Sequence, residues 1–203
     1  MPALFKYEKR PPFNVLFRLA KYSLEGIDHF VELVNETQQK NLTGLEKLAK
    51  NIDPDNDSDW LVDDFQELNE FDTLSSEFAI VGLWRCIELF NKDAICIALG
   101  PDEAKSVFKH KELKKKLLKL QITEEDVKCS QAANELRCLN NSVKHSQLVS
   151  KELASFEPWK NKEEEKLENL GSHYKRLRPL SECYLGSLTE QLNHWWTNIE
   201  KKS

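Results

Sequence analysis

Apolar residues in this chain recur every three or four positions over long stretches that Gly and Pro seldom interrupt. After Pro11-Pro12, the residues Leu16, Ala20, Ile27, Phe30 and Val34 fall at helical intervals. Proteins of many short strands need turn residues, and these 203 positions hold only six Gly and seven Pro. The expectation is an all-α bundle of five to seven helices, with residues 1–203 as a single helical domain. The first helix extends through Leu42, Leu45 and Leu48, with Asn41 as the place for a break. The acid-rich segment 51–64 reads as a loop. A second helix spans roughly 70–99, and Gly100-Pro101 ends it. One or two short helices follow. Thr123 is the expected N-cap of a helix over about 123–156, with Glu124, Glu125 and Asp126 in its first turn. A charged helix around Asn161 to Leu170 stops at Gly171. Pro179 then opens a C-terminal helix over about 180–201, which carries Leu185, Leu188, Leu192 and Trp195-Trp196.

The first ten residues show neither an apolar h-region nor a small-residue cleavage site, so no signal peptide is expected. No apolar stretch is long enough for a membrane span. The five Cys (86, 96, 129, 138 and 183) include no Cys-x-x-Cys pair and read as buried, reduced thiols. A cytoplasmic protein without membrane contact follows from these features. The net charge of −5 excludes a globally basic nucleic-acid coat. Charge is segregated nonetheless: Asp53 to Asp72 holds nine acids and no Lys or Arg, whereas Lys105 to Lys119 holds seven Lys and one acid. The Lys run suits a solvated helix face and could also meet phosphates.

The chemically suggestive segment is Glu135-Leu-Arg-Cys-Leu-Asn-Asn-Ser-Val-Lys-His145. Cys129, Ala132, Leu136, Leu139 and Val143 mark the buried face of its helix, and Asn134, Arg137, Asn141 and His145 form a polar stripe beside it. Arg, Asn and His on successive turns can converge on one phosphate: the guanidinium holds oxygens, the amide orients them and the imidazole moves a proton. That trio suits metal-free RNA cleavage. The same stripe also fits polar surface residues that bond locally. Upstream, Arg85 and Glu88 could meet the motif helix, with Glu88 reaching Arg137 or His145; an ordinary surface ion pair is the other reading.

Asn141-Ser-Val-Lys-His145, with Arg137 one turn earlier, resembles the signature of the HEPN superfamily of helical domains, in which Arg is followed by a polar residue and then by His. Asn141 and His145 fit the Arg-Asn-x-x-x-His form, while Asn140 occupies the Arg slot. Seven residues separate Arg137 from His145. The resemblance implies a HEPN-like bundle that forms a homodimer with two motif helices face to face. It further implies a metal-independent endoribonuclease in a toxin–antitoxin or anti-phage system, with RNA as substrate and a cognate antitoxin or defence-complex protein as partner. It assigns His145 as acid or base, Asn141 as its support and Arg137 as charge stabiliser, with Asn140 and Lys144 beside them. The departure at Asn140 keeps open a non-catalytic HEPN-like module that binds RNA or nucleotide, or acts as a scaffold. A structural helical partner that docks a basic protein through Asp53–Asp72 is the third reading.

Asp53-Pro-Asp-Asn-Asp-Ser-Asp59 alternates oxygen ligands as calcium loops do, yet Ser58 stands where the turn needs Gly and Asp64 where Glu is usual. An acidic linker is the preferred reading. His29, His110, His173 and His194 lack partners at metal-ligand spacing, so no metal or other cofactor is expected. Trp159, Trp195 and Trp196 read as core or dimer-contact residues.

Overall fold

Two long helices dominate the molecule. A computed structural model, which describes residues 12–50 and 59–201, places α1 at Phe13–Ala49 and α2 at Asp59–Leu99. Ile27 lies against Gly82, and Gln38 reaches Leu68 and Asp72, so the two helices run antiparallel. Four shorter helices bring the number among the described residues to six: α3 (Pro101–Ala104), α4 (His110–Lys119), α5 (Ser130–His145) and α6 (Leu170–Glu200). No strand occurs among the described residues; one isolated bridge joins Leu148 to Lys166. The all-α architecture is that expected from the spacing of apolar residues. No described helix is long and apolar enough to cross a membrane.

Several element boundaries differ from expectation, each for a local reason. α1 runs unbroken past Asn41, because Leu42 and Leu45 are half-buried while Asn41 faces solvent. α2 begins at Asp59, so acids 59–64 open a helix where a loop was expected. Acidic residues suit both settings, since they also complement the positive end of the helix dipole. Asn51–Ser58, and with them most of the calcium-like loop, lie outside the described residues. Thr123 does form a cap-like pair, its backbone N–H and hydroxyl both donating to Asp126 Oδ2 at 2.7 Å. The helix waits until Ser130, however, because Cys129 has φ 60°. At the other end α5 stops at His145, where Gln147 takes φ 58° and donates its N–H to the Ser142 carbonyl. The expected helix over 123–156 is thus half that length.

The C-terminal helix errs the other way. No α-helix forms at Asn161–Leu170; α6 instead starts at Leu170 and passes through both Gly171 and Pro179. Pro179 is exposed, as is Lys175, whose carbonyl loses its usual partner, so water can replace that bond. Gly171 lets α6 approach α2 closely: a Cβ there would lie 3.2 Å from Ser76 Oγ.

The buried side chains form one cluster drawn from every helix, with Phe13, Leu24, Ile80, Leu83, Leu136 and Leu185 all fully enclosed. Each such side chain contributes about 1.5–3 kcal/mol by leaving water. Cys129 and Cys183 are bonded to each other with Cα atoms 6.1 Å apart, which ties the start of α5 to α6 and corrects the reading of five free thiols. Cys86, Cys96 and Cys138 remain free.

A polar clamp joins α1 to α6. Arg178 donates to Asp28 at 2.9 Å and to Glu182 at 3.0 Å, and the Tyr174 hydroxyl donates to Asp28 at 2.6 Å. The Arg178 side chain is only 12% exposed, but its acidic partners are 36% and 32% exposed and can rehydrate if it is lost. Arg178→Met is therefore expected to cost about 2 kcal/mol, below the full cost of stranding a buried charge. Urea unfolding of the variant at neutral pH checks this.

Candidate functional site

α5 is buried on three sides, by α2, by α6 and by the segment that follows it. Its exposed sector is narrow, and it coincides with the polar stripe seen in the sequence: Asn141, Lys144 and His145 face solvent and Arg137 is half-buried. Gln131 is also exposed and Ser130, Ala132 and Asn134 are half-buried, while the other side of the helix is inside, including the polar residues Glu135, Asn140 and Ser142. These three explain why the apolar stripe underestimates the buried face.

Arg137 and His145 share this sector but do not converge. Eight residues along a helix correspond to a rise of about 12 Å. Helical side chains also lean toward the N-terminus. The Arg137 guanidinium follows that lean: Nε donates to Asn134 Oδ1 at 3.0 Å and Nη2 donates to Glu152 Oε2 at 3.1 Å. Both partners lie away from His145. The His145 side chain makes no hydrogen bond or ion pair with the described residues. The Cys138 thiol, beside Arg137 and Glu152, is pushed up to about 11, chiefly by burial, and is no nucleophile near neutrality.

The residue in the slot where HEPN proteins carry Arg is also out of reach. Asn140 is 2% exposed, its Oδ1 has no hydrogen-bond partner among the described residues, and its Nδ2 makes only a long 3.4 Å contact to Asn141. Ser142 Oγ is likewise buried without a partner. Arg85 and Glu88 bond to each other at 2.7 Å, so the expectation that Glu88 would reach Arg137 or His145 gives way to the local ion pair.

A buried charged cluster escaped the sequence reading. Glu135 accepts from Trp159 Nε1 at 2.8 Å, and Arg176 grips both carboxylate oxygens in a bidentate pair. His173 stacks on Trp159 with ring centroids 4.0 Å apart. The cluster joins α5, the short turn at Glu157–Trp159 and the start of α6. Every member is engaged by the others, so its role is to hold these segments together. The one sequence signal for it is an acid, Glu135, set among Ala132, Leu136, Cys138 and Leu139.

Between α2, α4, α5 and α6 lies a cavity of about 320 Å³. Trp84, Ile87, Leu113 and Leu117 make it largely apolar, and Asn91 and His110 supply polar atoms. The Tyr184 hydroxyl donates to Asn91 Oδ1 at 3.1 Å, while His110 Nε2 is buried without a partner among the described residues. Burial, then the nearby Arg137 and Lys114, lower the affinity of His110 for a proton. The cavity thus combines apolar walls with a few polar groups, among them Asn91, His110 and the charged Lys114, Glu124 and Glu125, the usual makings of a small-molecule site. Among the described residues no group of three or more His, Cys, Asp or Glu side chains is placed to hold a metal ion.

No family model, no curated protein and no solved structure matches the chain.

His173 gives the stability a defined pH dependence. Burial first, and Arg176 second, lower its pKa from the ordinary 6.5, so between the two values the unfolded chain takes up a proton that the folded one refuses. Stability is complete above that ordinary value and falls as pH drops below it. His110 is shifted in the same direction. His173→Phe keeps a ring on Trp159 and removes one titrating group. The melting temperature of that variant should fall less than the wild type's between about pH 7 and 5.5, as followed by circular dichroism.

Proposed function

We propose that this chain is a HEPN-like RNA-binding effector of a toxin–antitoxin or anti-phage system that does not cleave RNA unaided. The observation that carries this reading is the direction of Arg137, which is held by Asn134 and Glu152 away from His145. A metal-free phosphodiester cleavage needs a charge stabiliser and a proton donor or acceptor on the same phosphate. Here the two are separated, and the family's Arg slot holds a buried Asn140.

RNA contact is assigned to the C-terminal end of α5, where Asn141, Lys144 and His145 stand exposed on one sector and Lys151 follows on an exposed turn. Lys144 supplies the phosphate attraction, and Asn141 and His145 supply donors for phosphate or base edges. The acidic pI of about 5.7 confines such contact to a local patch and makes it strongly salt-dependent.

The test is a paired assay on single-stranded RNA in chelator at matched low salt, reading both cleavage and binding. Wild type should bind and leave the RNA intact, and the double variant Lys144→Ala/His145→Ala should bind about tenfold more weakly. Metal-free cleavage that His145→Ala abolishes would replace this reading with the endoribonuclease. Absence of any RNA binding would leave the structural interaction partner.

A further inference from the structure

A cavity of about 320 Å³ separates α4 from Ala133 of α5 and Tyr184 of α6. Ion pairs tie α4 to its neighbours along the chain: Lys116 and Lys119 pair with Glu103, and Lys114 pairs with Glu124. The apolar side chains Leu113 and Leu117 border the gap beneath it. Protein interiors pack about as densely as organic crystals, so a gap of this size forgoes the contacts that a filled core makes. An occupant that fits it recovers them.

Two polar groups on the wall have hydrogen-bonding capacity left. His110 Nε2 is buried without a partner among the described residues. Its imidazole is uncharged at neutral pH, because burial disfavours the proton, and so it carries one N–H and one bare nitrogen. Asn91 is only 3% exposed; its Oδ1 is taken by Tyr184, and its Nδ2 makes no hydrogen bond with the described residues. A buried polar atom left unpaired costs stability, so the site favours an occupant that brings a hydrogen-bonding group. Water alone suits it poorly, since an ordered water needs about two to four polar partners and most of this wall has none to give.

Charge and size narrow the occupant further. Lys114 and Glu124 neutralise each other, which leaves the exposed Glu125 in excess. That excess repels an anion, and apolar walls penalise taking any ion out of water. The volume is about twice that of an engineered apolar cavity that takes up benzene, which sets the size at two fused rings. Trp84 and Tyr184 on the wall favour a flat aromatic molecule through ring–ring contacts. A hydroxyl both donates and accepts, so it satisfies His110 Nε2 in either tautomer and equally suits Asn91 Nδ2. We infer that the cavity is the binding site of an uncharged, two-ring aromatic molecule bearing a hydroxyl, with that hydroxyl bonded to His110 Nε2. The site lies at the N-terminal end of α5 and does not rest on RNA contact at the other end.

Calorimetric titration of the full chain at neutral pH with three probes, 2-naphthol, naphthalene and 2-naphthoate, tests this. 2-Naphthol should bind with a dissociation constant on the order of 10 μM. Naphthalene, which lacks the hydroxyl, should bind about tenfold more weakly, and the charged 2-naphthoate should not bind measurably. His110→Leu removes the unpaired nitrogen, so it should keep the melting temperature and bind 2-naphthol no better than wild type binds naphthalene. Ala133→Phe fills the gap from α5 and should abolish 2-naphthol uptake with the melting temperature retained. No 2-naphthol binding by wild type overturns the inference, as does equal affinity for naphthalene or tighter binding of 2-naphthoate. Undiminished 2-naphthol binding by His110→Leu, or by folded Ala133→Phe, overturns it as well. None of these outcomes depends on whether RNA is bound.

Discussion

A single buried carboxylate sets the geometry of the candidate site. Glu135 is 4% exposed, and such a charge survives inside a protein only when its oxygens are fully engaged. Arg176 of α6 and Trp159 of the intervening turn engage them. Both reach Glu135 only if α5 presents that position inward, about 120° around the helix from Asn141 and about 80° from His145. The roll of α5 about its own axis is thereby fixed, and with it the set of side chains that meets solvent.

That roll decides what the segment from Arg137 to His145 can do. It turns Asn141, Lys144 and His145 outward, puts Asn140 in the core and leaves Arg137 at the margin, within reach of Glu152. Motif residues that look adjacent in the sequence thus occupy three environments. The Cys129–Cys183 bond anchors the opposite end of α5 to the same helix, α6, that supplies Arg176. Rolling α5 would have to break both ties, and it would still leave about 12 Å of helix between Arg137 and His145.

The helical class was legible because apolar spacing and the scarcity of Gly and Pro are properties of a whole chain, which tertiary contacts seldom overturn. Boundaries were less legible, since they depend on surroundings. Pro179 reads as a helix start, but its exposed position makes the missing hydrogen bond tolerable inside α6. The acids at 59–64 read as loop because composition cannot separate a solvated loop from a helix N-terminus. The outward stripe of the motif helix was legible from the 3.6-residue period, including Asn141 and His145. The direction of Arg137 was not, because Glu152 lies beyond the end of the helix and no period relates the two. Glu135, Trp159, His173 and Arg176 were missed as a group for the same reason, coming from three segments with no shared spacing.

Single Cys substitutions at two neighbouring positions of α5 test the roll most directly. Thiol labelling of Asn140→Cys and Asn141→Cys, resolved by mass spectrometry from the native cysteines, compares the two faces in the folded protein. With α5 held by Glu135, the thiol at 141 reacts at once, and the one at 140 reacts roughly a hundredfold more slowly because it waits on local opening. Equal rates, or faster labelling at 140, would mean that the family's Arg slot faces solvent and would contradict the account.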